Sequence, residues 1–160
     1  YKGYRTCLAP TSGSMGYGVP AAVAMKYLYK DRPVVCVAGD GDFLMTGQEF
    51  ATAVQYNLPI IVVISDNGIY GTIVMHQERD YPGRIIGTKL RNPDFAAYAK
   101  AFGGFGVFVD KSDDFPAAYA AAVEAGKPAV IHLKVDPNAI TTATTLDAIR
   151  EKALASGKQH

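Results

Sequence analysis

Val34-Val35-Cys36-Val37-Ala38-Gly39-Asp40-Gly41 and Ile60-Ile61-Val62-Val63-Ile64-Ser65-Asp66-Asn67-Gly68 are the two stretches whose reading decides the fold. Each is a run of small or β-branched apolar residues that stops at a polar, glycine-bearing turn, the pattern of a buried strand. The segment between them reads as a helix running to about Tyr56. Thr46 and Glu49 stand at capping-box spacing, and Asn57-Leu58-Pro59 ends it. Strand, helix, strand implies a parallel crossover, which places both strand ends on one edge of the sheet. Asp40 and Asn67 are therefore expected to converge at the edge where open α/β sheets bind ligands, outside the carboxyl ends of their strands.

Working outward, Pro20 suits the first turn of a helix that Ala21 to Tyr29 continues and Asp31-Arg32-Pro33 stops. Asn92-Pro93-Asp94 opens a helix from Phe95 to Phe102, closed by Gly103-Gly104, and Phe105 to Val109 reads as a third strand. Ser112-Asp113-Asp114 starts an alanine-rich helix ending near Gly126, and Ala129 to Val135 forms a fourth strand. Leu146 to Leu154 has helical apolar spacing, as a docked or frayed terminus. This alternation predicts an α/β, three-layer fold, a mainly parallel sheet with helices on both faces.

At 160 residues the chain is one domain's worth and long enough to bury a sizeable core. The 16 basic residues almost balance the 15 acidic ones, so no charge excess calls for nucleic acid or an anionic membrane. No apolar run approaches the length of a membrane span. Two cysteines do not make a disulfide framework, which makes a reducing, cytoplasmic compartment the default expectation. The start at Tyr1 suggests a fragment or a processed chain.

The residue types at the two turns suit a metal-bound diphosphate. Mg²⁺ takes about six oxygen ligands, usually one or two carboxylates together with phosphates and water, and Asp40 with the amide oxygen of Asn67 fits that preference. Gly39 and Gly41 let backbone N–H groups approach anionic oxygens. A plain strand-to-loop turn is the alternative for Gly39-Asp40-Gly41 taken alone. Gly13-Ser14-Met15-Gly16-Tyr17-Gly18 is not the G-x-G-x-x-G of a dinucleotide fold, and no Walker A motif occurs. Cys7 and Cys36 are isolated and His76, His132 and His160 widely separated, so no zinc pattern is present.

Gly39-Asp40-Gly41 with Asp66-Asn67 resembles the signature of thiamine diphosphate-dependent enzymes, and the segment Thr11 to Ala22 resembles the one preceding it in their acetolactate synthase-like branch. The likeness covers about residues 8 to 135. It implies the thiamine diphosphate-binding fold, thiamine diphosphate and Mg²⁺ as cofactors, and the C-terminal, diphosphate-binding domain of a larger enzyme. That enzyme would decarboxylate a small 2-oxo acid and transfer or release the resulting carbanion. By resemblance, Asp40 and Asn67 ligate the metal through their side chains and Ile69 through its carbonyl. Gly41 and Asp42 offer N–H groups to the diphosphate, the Gly13 carbonyl accepts from the pyrimidine amino group, and Met15 supports the bent cofactor. Ser14, Gly39, Tyr70 and Gly71 complete the implied cofactor site. Met15 as an ordinary core residue is the competing reading. Asp42 departs from the small or uncharged residue usual in the family, so its carboxylate is expected to point away. Asp66 departs from the more frequent Asn.

The activating glutamate of the family lies on a separate pyrimidine-binding domain, which implies partnership with such a domain of the parent chain and of a second subunit, in a homodimer or homotetramer. A non-catalytic scaffold that keeps the fold, or one half of a split 2-oxo acid decarboxylase, are the alternatives. Gly68 to Arg91 reads as a long loop with one short helix, covering the cofactor by resemblance. Within it Glu78, Arg79 and Asp80 are expected to be solvated surface charges. His76 is a candidate for proton transfer or for packing. Ile73 stands where pyruvate decarboxylase-like relatives carry an acid, which weakens a simple decarboxylase reading.

Overall fold

The structure is a computed structural model and describes Gly3 and residues 6–157. Among these residues four strands form one parallel sheet in the order β1-β2-β4-β3, with β1 Val34–Gly39, β2 Ile60–Asp66, β3 Phe105–Val109 and β4 Ala129–Lys134. Seven helices surround it: α1 Gly18–Leu28, α2 Asp40–Thr46, α3 Phe50–Gln55, α4 Gly71–Asp80, α5 Phe95–Ala101, α6 Phe115–Glu124 and α7 Leu146–Ala155. One face of the sheet, with Cys36, Ala38, Ile60, Val62, Ile64 and Val130, packs on α1, α2, α3 and α5 through Val19, Ala22, Phe43, Phe50, Ala53, Phe95 and Ala99. The opposite face, with Ile61, Val63, Ala129 and Ile131, packs on α6 through Ala118 and Ala122. This is the three-layer arrangement expected, and its register sets the site. Gly39 is level with Ser65, and Asp66 with Lys134. The chain therefore leaves β1 and β2 side by side at Asp40 and Asn67.

Several expectations are corrected. The β2 run is buried at every position but Ser65, whereas β1 exposes Val35 and Val37, 44% and 74% accessible. β1 is an edge strand, and among the described residues no helix covers its second face there, so it is buried on one side only. The helix after β1 begins at Asp40, about two turns earlier than the capping-box spacing suggested, with Gly39 in extended geometry as its N-cap. Thr46 ends α2 and stands at the N-cap position of a short 3-10 turn, Gly47–Glu49, that leads into α3, but its side chain makes no capping bond. Its hydroxyl donates to the Gly16 carbonyl at 2.7 Å, and Glu49 accepts from Thr52 at 2.9 Å instead of reaching back. The Gly13–Gly18 segment crowds that point and takes the hydroxyl that would otherwise cap.

The Gly68–Arg91 stretch is also more ordered than a loop, because α4 occupies ten of its residues. Glu78 is not a solvated surface charge but fully buried on α4. Its Oε1 accepts from two Arg150 nitrogens of α7, Nε at 2.9 Å and Nη2, and its Oε2 accepts from Gly83 N at 2.9 Å. Arg150 holds the Glu78 carboxyl below the usual carboxylate range against the opposing effect of burial, with help from the Gly83 N–H. Arg79 and Asp80 are exposed as expected and pair with each other. The pair between Glu78 and Arg150 docks the C-terminal helix on the helix that follows the second motif.

Candidate functional site

The two turns meet directly. Asp40 Oδ2 accepts from the backbone N–H of Gly68 at 2.8 Å, a bond that spans the crossover. Its Oδ1 accepts from its neighbour Gly41 N at 2.9 Å. Asn67 Oδ1 accepts from Ile69 N at 3.1 Å, an Asx turn that folds the chain back over the strand end. Gly68 sits at φ 71°, a left-handed conformation that glycine adopts without strain. Gly41 is required for a different reason: a Cβ there would lie 2.5 Å from the Tyr70 ring. Glycine lets the first turn of α2 and Tyr70 share the space.

Together these residues line a cleft of about 290 Å³ at the carboxyl edge of the sheet. Met15, Gly39, Asp40, Gly41, Asp42, Asn67, Ile69, Tyr70 and Gly71, all singled out from sequence, border it. Ser65, Thr72, Ile73 and Ile140 complete the wall, the last from the segment after β4. Met15 is 47% exposed at the cleft, so it is not an ordinary core residue. Gly13 and Ser14 lie outside the lining; the Ser14 hydroxyl bonds that of Ser12 at 2.9 Å on the exposed side. His76 is exposed on α4 and does not line the cleft. Asp42 Oδ1 accepts from Gly16 N, which ties the Gly13–Gly18 segment to the start of α2. The carboxylate that departs from the family pattern is thus engaged by a backbone donor.

Beneath the cleft lies a polar network that sequence reading missed. Asn92 Nδ2 donates to Asp40 Oδ2 at 2.6 Å and to Asp66 Oδ1 at 2.8 Å. Asp66 Oδ2 lies 2.8 Å from His132 Nε2, and Lys134 Nζ donates to Asp66 Oδ1 at 3.3 Å. An ionised carboxylate accepts only, so the imidazole carries its proton on Nε2. The His132 ring is held edge-on by Phe95 and Phe108, with centroids 5.1 and 5.0 Å away. Burial pushes Asp40 up from the ordinary carboxylate value, only partly offset by its three N–H donors. Burial also pushes on Asp66, but hydrogen bonds from His132 and Asn92 and the Lys134 charge hold it below the ordinary value. The β2 and β4 register places Asp66 and His132 together, and the odd polar residues within apolar strands were the available signal.

Among the described residues no group of three His, Cys, Asp or Glu side chains gathers to hold a metal. The oxygen donors at the cleft are instead the Asp40 carboxylate, the Asn67 amide, backbone carbonyls and the hydroxyls of Ser65, Tyr70 and Thr72, with the Asp42 carboxylate tied to Gly16 N. Each of Asp40 Oδ1 and Asn67 Oδ1 accepts a single N–H, which leaves acceptor capacity at both. Hard oxygen donors of this kind suit Mg²⁺ and not zinc or a soft metal.

Over residues 1–133 the chain matches the family described as thiamine pyrophosphate enzyme, C-terminal TPP binding domain. The chain belongs to this family. Thiamine diphosphate, bound with Mg²⁺, is the family's cofactor. The chain is 38% identical over 125 residues to the acetolactate synthase large subunit of Parasynechococcus marenigrum, covering 77% of this chain and 20% of that protein. It is 37% identical over 141 residues to the 2-hydroxyacyl-CoA lyase of Oryza sativa, covering 82% and 24%. Among solved structures, the thiamine diphosphate-dependent 4-hydroxybenzoylformate decarboxylase of Rhodococcus jostii superposes with a TM-score of 0.74 at 31% identity, over 79% of this chain and 24% of that one. The chain thus spans about a fifth to a quarter of the length of these relatives. Among the described residues no helix is long and apolar enough to cross a membrane.

Proposed function

We propose that the cleft binds the Mg²⁺-diphosphate end of thiamine diphosphate, with the Asp40 and Asn67 side chains and the Ile69 carbonyl on the metal. The observation that carries this reading is the bond from Gly68 N to Asp40 Oδ2, which fixes the two motifs against each other at the cleft. Asp42, in the first turn of α2, supplies an N–H group for the diphosphate, joined by that of Gly41 where the cation draws Asp40 Oδ1 away from it, and Gly39 and Gly71 keep the backbone open to it. Met15 and Tyr70 bear on the cofactor's rings. Gly13 and Ser14, although outside the cleft lining, are two and one residues from Met15 and stand toward the pyrimidine end.

When bound, thiamine diphosphate supplies a nucleophilic thiazolium carbon and an electron sink for the decarboxylation of 2-oxo acids. This chain's own contribution is to hold the cation that anchors the diphosphate, to orient the rings and to present an apolar wall of Ile73 and Ile140. Isoleucine at position 73 provides no proton-transfer group. That fits a parent enzyme of the acetolactate synthase-like or lyase kind, acting on a small 2-oxo acid. The activating glutamate and the remaining pocket belong to a pyrimidine-binding domain of the parent chain and of a second subunit, in a homo-oligomer. The exposed apolar face of β1, with Val35 and Val37, offers a surface for such contacts.

A thermal-shift titration tests the reading. Ligand bound only by the folded state stabilises by RT ln(1 + [L]/Kd), about 2.7 kcal/mol at a hundredfold excess over Kd. Thiamine diphosphate with Mg²⁺ is expected to raise the melting temperature, EDTA to cancel the rise, and Asp40→Ala to abolish it. No shift in the unsubstituted chain favours the non-catalytic scaffold instead.

A further inference from the structure

We infer that Asn92 is a positioning residue for the cation site, holding the Asp40 carboxylate in one orientation through an amide that Asp66 shares. The inference rests on the cofactor reading above. Its amide sits between two carboxylates, at 2.6 Å from Asp40 Oδ2 and 2.8 Å from Asp66 Oδ1. Two acceptors at those distances require the two hydrogens of an NH₂ group, which assigns the amide orientation. The Asn92 Oδ1 atom is correspondingly left buried without a partner. An amide with an orphaned oxygen is tolerated here because its NH₂ meets two anions, and charge-assisted hydrogen bonds are the strong ones.

The backbone delivers this side chain from outside both motifs. Tyr70 N donates to Thr88 O at 2.9 Å and Leu90 N to Gly68 O at 2.8 Å, so residues 88–90 run antiparallel to the second motif. Pro93 biases Asn92 to extended geometry, and Asp94 caps α5 by accepting from Ala97 N at 2.9 Å. Asn92 is therefore held between a strand-like pairing and a helix cap, two fixed points a few residues apart. On the far side, His132 and Lys134 anchor Asp66. With Oδ2 engaged by Asn92 and Gly68, the Asp40 carboxylate cannot exchange its two oxygens freely, and Oδ1 is the one left with acceptor capacity.

Mg²⁺ demands near-ideal octahedral geometry, whereas Ca²⁺ accepts flexible coordination. A carboxylate that loses its fixed orientation therefore penalises Mg²⁺ more than Ca²⁺. The test is a metal titration of the full chain at fixed thiamine diphosphate, reading the midpoint of the metal-dependent thermal shift for Mg²⁺ and for Ca²⁺. In Asn92→Ala the Mg²⁺ midpoint is expected to rise about tenfold, the lower end of what outer-shell partners contribute to metal affinity, and the Ca²⁺ midpoint to rise less. Asn92→Ser, which keeps one donor, applies the same criterion should the alanine variant not fold. An Asn92 variant with a lowered melting temperature but an unchanged Mg²⁺ midpoint, or with equal losses for both cations, overturns the inference. An unsubstituted chain with no metal-dependent shift overturns the cofactor reading, and this inference with it.

Discussion

Asp66 and Glu78 are both buried carboxylates, 4% and 0% exposed, yet one lies under the cleft and the other between two helices, and their partners differ in kind. Glu78 is matched by one guanidinium, that of Arg150, which itself remains 37% exposed. Asp66 spreads its charge over an imidazole, an amide and a half-exposed ammonium, and the amide leads on to Asp40. The helix pair is a local clasp whose loss concerns stability. The network under the cleft couples strand β4 and the segment before α5 to the oxygen donors of the site. A buried acid at a binding edge is thus held through several neutral or shared donors, which leaves the adjacent carboxylate available to a cation.

Removing the guanidinium should break the clasp most severely. Breaking a buried pair by deleting one partner costs roughly 3–5 kcal/mol, and the exposure of Arg150 places Arg150→Ala near the bottom of that range or below it, about 2–3 kcal/mol. Urea unfolding checks this, and the Mg²⁺ midpoint should stay where it is, since α7 does not line the cleft. A pH series on Glu78→Gln sharpens the contrast with a smaller effect. Glu78 is held below its ordinary value of 4.5, so its stabilising contribution is complete above that pH and is lost as the pH falls toward the depressed folded-state value. The stability gap between the wild type and Glu78→Gln should therefore be constant from pH 7 to about 5 and close below that. Smallest of the three is Lys134→Ala. With a side chain 48% exposed and His132 and Asn92 still holding Asp66, it should change stability by less than about 0.5 kcal/mol. A larger loss would mean that the network depends on its ammonium as the clasp depends on its guanidinium.

What the residues disclose in order along the chain follows the same division. The parallel crossover, the four strands and the convergence of Asp40 with Asn67 were legible because β-branched runs, breakers and glycine turns are local signals. Burial of β1 was misread because its composition matches that of β2. Only its place at the sheet edge, a non-local fact, leaves Val35 and Val37 exposed. Thr46 and Glu49 had the right spacing for a cap, but the nearby Gly16 carbonyl competes for the hydroxyl. Asn92, His132 and the pairing of Glu78 with Arg150 were not legible, since their partners lie 26 to 72 positions away and become neighbours only through the fold. Asn92 was visible as a helix opener beside Pro93, and nothing local distinguishes that duty from its contact with Asp40.

Asp40, Asn67 and Ile69 are proposed to form one cation site with the diphosphate. Crystals of the protein grown with Mn²⁺ in place of Mg²⁺ and with thiamine diphosphate test it most directly, by the position of the manganese anomalous peak. A single strong peak is expected, bonded to an Asp40 carboxylate oxygen, the Asn67 amide oxygen and the Ile69 carbonyl, next to the diphosphate. A cofactor bound with its metal elsewhere, or a peak that persists unchanged in Asp40→Ala, would contradict it.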